Sequence, residues 1–140
     1  MITTKKYTVI VSAWQTSETL ENNLIASDEI QCYLKNIIKV GPAQAIGFYD
    51  GISELSFIVH TDHYGTVQAI AHHASRIYNQ KCILVRHGPH NTIALWYLGA
   101  RIKVEIIGTR FEQFGTVAQY QVNKPSAYTI LNGEYWEVVK

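Results

Sequence analysis

The chain has 140 residues, which is the size of one domain, so residues 1–140 are expected to form a single unit. It carries 12 Lys and Arg against 11 Asp and Glu, and this near-neutral balance argues against non-specific binding to nucleic acid. Hydrophobic residues make up 47%, which excludes a disordered chain, and charged residues only 16%, which indicates a surface partly covered by other subunits.

The cellular location is predicted from the cysteines and the apolar segments. Cys32 and Cys82 are too few for a disulfide framework and are predicted to be buried, reduced thiols. No apolar run approaches the roughly 20 residues that span a bilayer. The first 14 residues lack a signal-peptide cleavage pattern. We therefore expect a cytoplasmic protein with no membrane segment.

The first 86 residues alternate between strand and helix patterns, with a polar loop predicted at 15–24. Apolar residues alternate in the predicted strands and recur every three to four residues in the predicted helices. The predicted elements are a strand over Lys6–Trp14, a helix capped by Ser27 and ended by Gly41, strands over Ala43–Tyr49 and Ile52–Thr61 joined by the turn Asp50-Gly51, a helix opened by Asp62 or Thr66, and a strand over Cys82–Arg86.

This β-α-β-β-α-β order is that of the ferredoxin-like split β-α-β fold, an antiparallel sheet with two helices on one face. The rest of the chain is predicted to add C-terminal strands. These are Thr92–Leu98, Lys103–Ile107, Thr116–Val122, Ala127–Leu131 and Tyr135–Val139. The face without helices carries Ile58 and would be exposed, so its burial against other copies predicts a homo-oligomer.

The six histidines are the obvious candidates for metal ligands: His60, His63, His72, His73, His87 and His90. A metal site needs three or four converging ligands with supporting contacts. Here the histidines fall at a strand end, on a helix and in a turn, with no third partner indicated for any pair. We therefore expect no metal ligands. The glycine-rich nucleotide-binding motifs and the GxSxG motif are also missing from the sequence.

Two strand carboxylates are candidates for catalysis. Glu54 lies mid-strand on the face opposite Leu55 and Phe57, and a carboxylate on a central strand needs a partner. The structural alternative is an edge-strand charge that prevents aggregation. Glu105 occupies a similar position, and its structural alternative is a pair with a neighbouring basic residue.

Seven segments occur in a recognisable order across nearly the whole chain. They lie within Tyr7–Trp14, Gly47–Glu54, Gln80–Val85, Thr92–Tyr97, Lys103–Glu105, Phe111–Glu112 and Tyr128–Val138. Together they resemble the phage-encoded S-adenosylmethionine-cleaving enzymes, known as SAM hydrolases and now regarded as SAM lyases. The region 15–42 and the histidine-rich helix match poorly, so the first helix carries no functional inference.

The resemblance implies an activity and an assembly. The enzyme would cleave S-adenosylmethionine to 5′-methylthioadenosine and homoserine lactone, or to homoserine if water is the nucleophile. It would be a bacteriophage protein that depletes S-adenosylmethionine in the host cytoplasm and so counters restriction. The family also implies a PII-like trimer, a substrate between subunits and no cofactor. Ser12, Tyr49, Tyr7 and Trp14, within the matching segments, are the implied substrate-binding residues.

The implied chemistry suggests separate roles for the two carboxylates. The sulfonium charge disappears in the reaction, so a carboxylate beside it would stabilise the ground state and slow the reaction. We therefore expect Glu54 to hold the substrate α-ammonium, with Glu105 as a second candidate for the ammonium or the ribose. In a hydrolase, Glu54 would be the base that activates water. The alternative function is a non-catalytic, PII-like trimeric module that binds an adenine ligand, against which the short turn at Asp50-Gly51 argues.

Overall fold

The computed structural model describes residues 3–49, 52–113 and 127–140. Two helices and nine strands lie within these ranges. In chain order they are β1 (Tyr7–Ser12), α1 (Leu20–Ile38), β2 (Ala43–Tyr49), β3 (Ile52–Thr61), α2 (Tyr64–Tyr78), β4 (Cys82–His87), β5 (Thr92–Tyr97), β6 (Lys103–Gly108), β7 (Arg110–Gln113), β8 (Ala127–Leu131) and β9 (Glu134–Val139). The predicted turn Asp50-Gly51 and the predicted strand Thr116–Val122 lie outside the described residues.

All nine strands form one antiparallel sheet in the order β6-β5-β4-β1-β3-β2-β8-β9-β7. The two outermost strands, β6 and β7, are separated in the chain by Thr109 alone. The backbone N–H of Thr109 donates to the carbonyl of Val139 in β9 at 2.8 Å. Phe111 of β7 packs against a cluster containing Ile10 of β1, although four strands lie between them in the sheet. The sheet therefore curls into a nearly closed, barrel-like shape.

The predicted fold class is wrong. A ferredoxin-like, PII-like sheet with two helices on one face and appended C-terminal strands was expected, whereas the structure has a barrel-like sheet of nine strands. A sheet of only β4, β1, β3 and β2 would leave unpaired N–H and C=O groups along β4 and β2, and here β5 pairs with β4 and β8 pairs with β2. The twist between neighbouring strands then accumulates until the two ends of the sheet approach each other. Local periodicity carries no information about this long-range pairing.

Helix α1 begins earlier than the sequence indicated. The hydroxyl of Thr19 caps it by accepting from the backbone N–H of Asn22, and Ser27 lies inside the helix with its hydroxyl donating to the carbonyl of Asn23 at 2.8 Å. The Asn23 side chain is buried and exchanges two hydrogen bonds with the backbone of Gln15. Polar side chains at the start of α1 thus form hydrogen bonds with the backbone of the preceding loop. Because these residues are polar, the sequence suggested that the loop itself extends over them.

The sheet has apolar clusters on both faces. The larger cluster lies between the sheet and the helices and includes Val9, Phe57, Ile30 and Ile70. The smaller one is on the opposite face, which we call the inner face; it contains Ile10, Ala45 and Ile58, with Leu84, Phe111 and Leu131 packed against it. The inner face is thus partly covered by the curl of the sheet itself. No helix in the described ranges has the length and hydropathy needed to cross a membrane.

Candidate active site

Glu54 lies on the inner face of β3. Its neighbour Leu55 packs against the helix-side cluster and Phe57 belongs to it, so alternation places Glu54 on the other side. The side chain is half-buried. Among the described residues, its carboxylate has no hydrogen-bond or ion-pair partner. Burial raises the pKa of Glu54 because the charged form loses hydration.

Glu105 reaches the same face from β6. It pairs with Leu95, which pairs with Leu84 beside Ile10 of the inner cluster. The hydroxyl of Tyr97 donates to Oε2 of Glu105 at 2.9 Å. This contact, rather than an ion pair with a neighbouring basic residue, restrains the Glu105 carboxylate in the described structure.

Cys82 marks a point on the inner face between the strands that carry the two carboxylates. It begins β4 on the inner face, opposite Tyr97. Burial raises the pKa of the Cys82 thiol to about 11, and the charges of Glu105 and Glu54 contribute to the increase. The thiol is therefore protonated at neutral pH and is a weak nucleophile. The strand of Cys82, β4, lies between β6, which carries Glu105, and β3, which carries Glu54.

Ser12 is next to this point, but its hydroxyl is largely occupied. It pairs with Ser56 in the ladder, on the inner face. Its Oγ donates to the carbonyl of Leu55 at 2.8 Å and accepts from the backbone N–H of Trp14 at 2.9 Å. These bonds fix the end of β1 against β3, so Ser12 supports the backbone beside Glu54.

The aromatic residues of the sequence prediction are not all brought together. Tyr7 lies on the helix side of the sheet, where its ring stacks on His87 with centroids 4.8 Å apart. Trp14 follows the end of β1, and its carbonyl accepts from the side chain of Gln80 at 2.8 Å. Tyr49 ends β2, with its backbone paired to Ile52. Within one chain, Tyr7 is therefore separated from Glu54 by the sheet.

The sequence reasoning missed a row of inner-face residues that continues from Glu54. The ladder pairs Glu54 with Gly47, Gly47 with Thr129, and Thr129 with Trp136, so the four residues share one face. The indole nitrogen of Trp136 is buried and has no hydrogen-bond partner among the described residues. Alternation within β9 could have suggested that Trp136 faces inward, but only the pairing of β8 with β2 places it in line with Glu54.

The histidines are engaged in separate contacts. Nδ1 of His60 lies 2.9 Å from the hydroxyl of Thr8, and burial lowers the pKa of His60. The ring of His73 stacks on Tyr33, and His87 lies against His90 in the turn after β4. Within the described ranges, the structure has no group of three or more His, Cys, Asp or Glu side chains that could hold a metal ion.

Comparison with known proteins identifies the family. The model of the S-adenosylmethionine lyase family matches residues 9–139 of the 140-residue chain. The chain belongs to the S-adenosylmethionine lyase family. No curated protein matches the sequence. The resemblance carried by the short segments is thus confirmed, and this lyase is an enzyme whose substrate is S-adenosylmethionine.

The matched range includes Glu54, Glu105 and Trp136 of the inner face. A lyase acting on S-adenosylmethionine must bind a permanent sulfonium, an ammonium and an adenine in one ligand. The inner face of this lyase carries the carboxylates of Glu54 and Glu105 and the buried indole N–H of Trp136. Ile10 and Ile58 belong to the apolar cluster of this face, on the strands β1 and β3.

Proposed function

We propose that this lyase converts S-adenosylmethionine to 5′-methylthioadenosine and L-homoserine lactone by attack of the substrate's own carboxylate on its Cγ. The bond from a carboxylate oxygen to Cγ forms while the bond from Cγ to sulfur breaks. The electron pair of the broken bond stays on sulfur, which leaves as a neutral thioether. No water is consumed and no proton must move in this step.

The physical basis is charge neutralisation in a poorly hydrated site. The reacting carboxylate and sulfonium both lose their charges, and water would oppose this loss because it solvates both ions. An apolar surface such as that of Ile10, Ile58 and Leu84 removes part of this hydration. Binding the substrate in a bent shape brings the carboxylate to Cγ and reduces the entropy cost of the reaction.

The single observation that carries the proposal, within the family, is the half-buried Glu54 carboxylate that has no partner among the described residues. At about 4 Å and an effective dielectric near 20, a carboxylate stabilises a cation by roughly 4 kcal/mol. On the sulfonium this stabilisation would be lost in the transition state. On the α-ammonium it is kept, and the ammonium in turn aims the substrate carboxylate. We therefore assign the ammonium to Glu54.

Glu105 is proposed as the second carboxylate of the site. Its bond to Tyr97 fixes one oxygen and leaves the other for the ammonium or for a ribose hydroxyl. Ser12, Tyr49, Tyr7 and Trp14 remain predicted substrate-binding residues.

We also propose a homotrimer with the site between subunits. In one chain, Tyr7 and Glu54 lie on opposite faces of the sheet. One substrate molecule can therefore contact both residues only if a second copy of the chain supplies one of them. Apolar side chains of β6 are exposed on its outer surface, with Val104 57% and Ile106 65% accessible, and they are available to an interface.

The cellular role that follows is depletion of S-adenosylmethionine in the cytoplasm of a phage-infected bacterium, without binding to nucleic acid or membranes. Restriction enzymes that need this cofactor would then fail to cut the phage DNA. Expression of the protein in a restricting host should raise the plating efficiency of an unmodified phage, whereas the Glu54→Gln variant should not.

The alternative reaction is attack by water, for which Glu54 would act as the base. Turnover in oxygen-18 water separates the two reactions. Methylthioadenosine with unlabelled lactone at early times supports the intramolecular reaction. Label in the C4 hydroxyl of homoserine requires water attack and would overturn the lactone route.

The role of Glu54 is tested by Glu54→Gln, which keeps the shape and removes the charge. We expect kcat to fall by roughly 10²-fold or more, because the substrate ammonium loses its partner in a poorly hydrated site. Binding of methylthioadenosine, which has no ammonium, should be unchanged. The matched control is Glu112→Gln, because the carboxylate of Glu112 is exposed and pairs only with Arg110 among the described residues. Wild-type turnover of the Glu54→Gln variant would remove Glu54 from the mechanism.

A further inference from the structure

We infer that the indole N–H of Trp136 is the donor that binds the adenine of the substrate, on the same inner face as Glu54. This assignment rests on the proposed function, because it takes the substrate's cationic end to lie at Glu54. The assignment makes Trp136 a specificity residue for the nucleoside end of the substrate. The sequence analysis named no residue of β9 for this role.

The first support is the position of Trp136 in the sheet. Glu54, Gly47, Thr129 and Trp136 occupy successive strands β3, β2, β8 and β9 at one level of the ladder. Neighbouring strands lie about 4.8 Å apart, so Glu54 and Trp136 are separated by about 14 Å along the sheet. A ligand with an amino acid at one end and a nucleoside at the other can bridge such a separation across the row.

The second support is the unsatisfied N–H itself. The Nε1 atom of Trp136 is removed from solvent and has no acceptor among the residues that the structure describes. A buried donor without an acceptor is unfavourable, and a Trp in an interior usually finds a partner. A bound ligand with an sp² nitrogen acceptor supplies that partner. Adenine has three such ring nitrogens, at positions 1, 3 and 7.

The third support is the glycine between the two ends of the row. Gly47 has no side chain, so the surface between Glu54 and Thr129 is low. A Cβ at Gly47 would lie 3.1 Å from Oγ of Ser56, so even an alanine would crowd this part of the face. In the proposed complex, the ribose and sulfonium lie over Gly47, between the carboxylate and the indole. The Thr129 side chain next to Gly47 is largely buried.

The assignment is tested with Trp136→Phe, which keeps an aromatic ring and removes the N–H. Loss of one neutral hydrogen bond should weaken the binding of methylthioadenosine, measured by calorimetry, by about five- to ten-fold. The KM for S-adenosylmethionine should rise by a similar factor, with kcat within about two-fold of wild type. The matched control is Trp96→Phe, because Trp96 lies in the helix-side cluster near Tyr64. That control should leave the affinity for methylthioadenosine unchanged.

A folded Trp136→Phe protein that binds methylthioadenosine as tightly as wild type would overturn the assignment. If the variant does not fold, the wild-type protein gives the answer through the indole N–H signals of its ¹⁵N spectrum. Saturation with methylthioadenosine should move one indole signal to lower field, and 1-deaza, 3-deaza and 7-deaza analogues should identify its acceptor. Unmoved indole signals, or equal affinity for all three analogues and the parent compound, would refute it.

The result of the Trp136 test is independent of the result of the test of the lactone route. Methylthioadenosine is the product of both the lactone route and the water route, so its contact with Trp136 can be measured whichever nucleophile attacks Cγ. Label in the homoserine hydroxyl would therefore refute the lactone route and leave the Trp136 result standing.

Discussion

Glu54 combines burial with the lack of a partner among the described residues, and this combination has opposite effects on stability and function. A carboxylate in this position is harder to ionise, which is why its pKa is raised. The same lack of a partner leaves it free for a cationic ligand. In the proposed role, Glu54 stabilises the complex with substrate more than it stabilises the free protein.

The stability cost predicts a pH-dependent effect of Glu54→Gln. Because the folded-state pKa is raised, the folded protein holds the Glu54 proton more tightly than the unfolded chain does. Wild-type stability should therefore fall as pH rises from the unfolded pKa through the folded pKa. We expect the Gln variant to have a higher Tm than wild type at pH 7, with the difference disappearing below pH 4. Thermal denaturation between pH 4 and pH 7 measures this difference in Tm between the variant and the wild type. An equal difference at the two pH values would contradict the prediction.

The same titration should appear in catalysis. If ionised Glu54 binds the ammonium, kcat/KM should rise with pH through the raised pKa of Glu54 and then reach a plateau. The midpoint should lie above that of an ordinary glutamate. The Glu54→Gln variant should have a lower kcat/KM, and its pH profile should lack the acidic limb. An unchanged acidic limb in the variant would assign it to another group.

Tyr97 is expected to act through Glu105. Its hydroxyl holds one carboxylate oxygen, so Tyr97→Phe should lower kcat/KM by about three- to ten-fold by releasing the Glu105 side chain. In a Glu105→Gln background the same change should have a smaller effect, because the two residues act as one unit. A double-mutant cycle on kcat/KM measures this, and full additivity would contradict a role through Glu105.

At the scale of elements, the approach of β6 to β9 depends on Gly108. A Cβ there would lie 2.5 Å from the carbonyl oxygen of Val139 and closer still to a methyl group of Val138. Only a glycine permits this contact while Thr109 keeps its hydrogen bond to Val139. Thr109 separates the two edge strands, and Gly108 precedes it. A glycine at this position thus allows the sheet to curl so tightly.

Gly108→Ala is therefore expected to destabilise the protein by about 1–3 kcal/mol, since backbone must move to admit the methyl group. Gly65→Ala is the matched control, because nothing lies within 4 Å of its Cβ position near the start of α2. That change should be neutral or stabilising by up to about 1 kcal/mol. Chemical denaturation gives both values, and a neutral Gly108→Ala would show that the ends of the sheet are loosely packed.

At the scale of the whole molecule, apolar residues remain exposed although both sheet faces carry apolar clusters. Val104 and Ile106 lie on the outer surface of β6, and α1 exposes Leu20, Leu24 and Ile25. Together with the low charge fraction, these surfaces favour association with other copies of the chain.

Light scattering of the pure protein should therefore give a mass near three chains. The proposed site requires residues from two copies, so dilution to the monomer should reduce specific activity. A monomer at micromolar concentration that remains fully active would contradict the shared site while leaving the role of Glu54 intact.

The sequence by itself determined the family and the character of its strands. Alternation predicted that Glu54 opposes Leu55 and Phe57, and the structure confirms it because side-chain alternation is a local property of an extended backbone. Collinear segments predicted the S-adenosylmethionine lyase family, which the family comparison confirms.

Only the tertiary structure decided which strands meet. The pairing of β8 with β2 aligns Trp136 with Glu54, and the curl of the sheet brings Phe111 of β7 to Ile10 of β1. These contacts join residues far apart in the chain, so no local pattern encodes them. The same holds for Tyr7, which packs against the helix-side cluster although the apolar strand β1 did not by itself indicate which face would meet the helices. Strand pairing, set by hydrogen bonding and accumulated twist, therefore determined the fold class and which residues of distant strands share a face of the sheet.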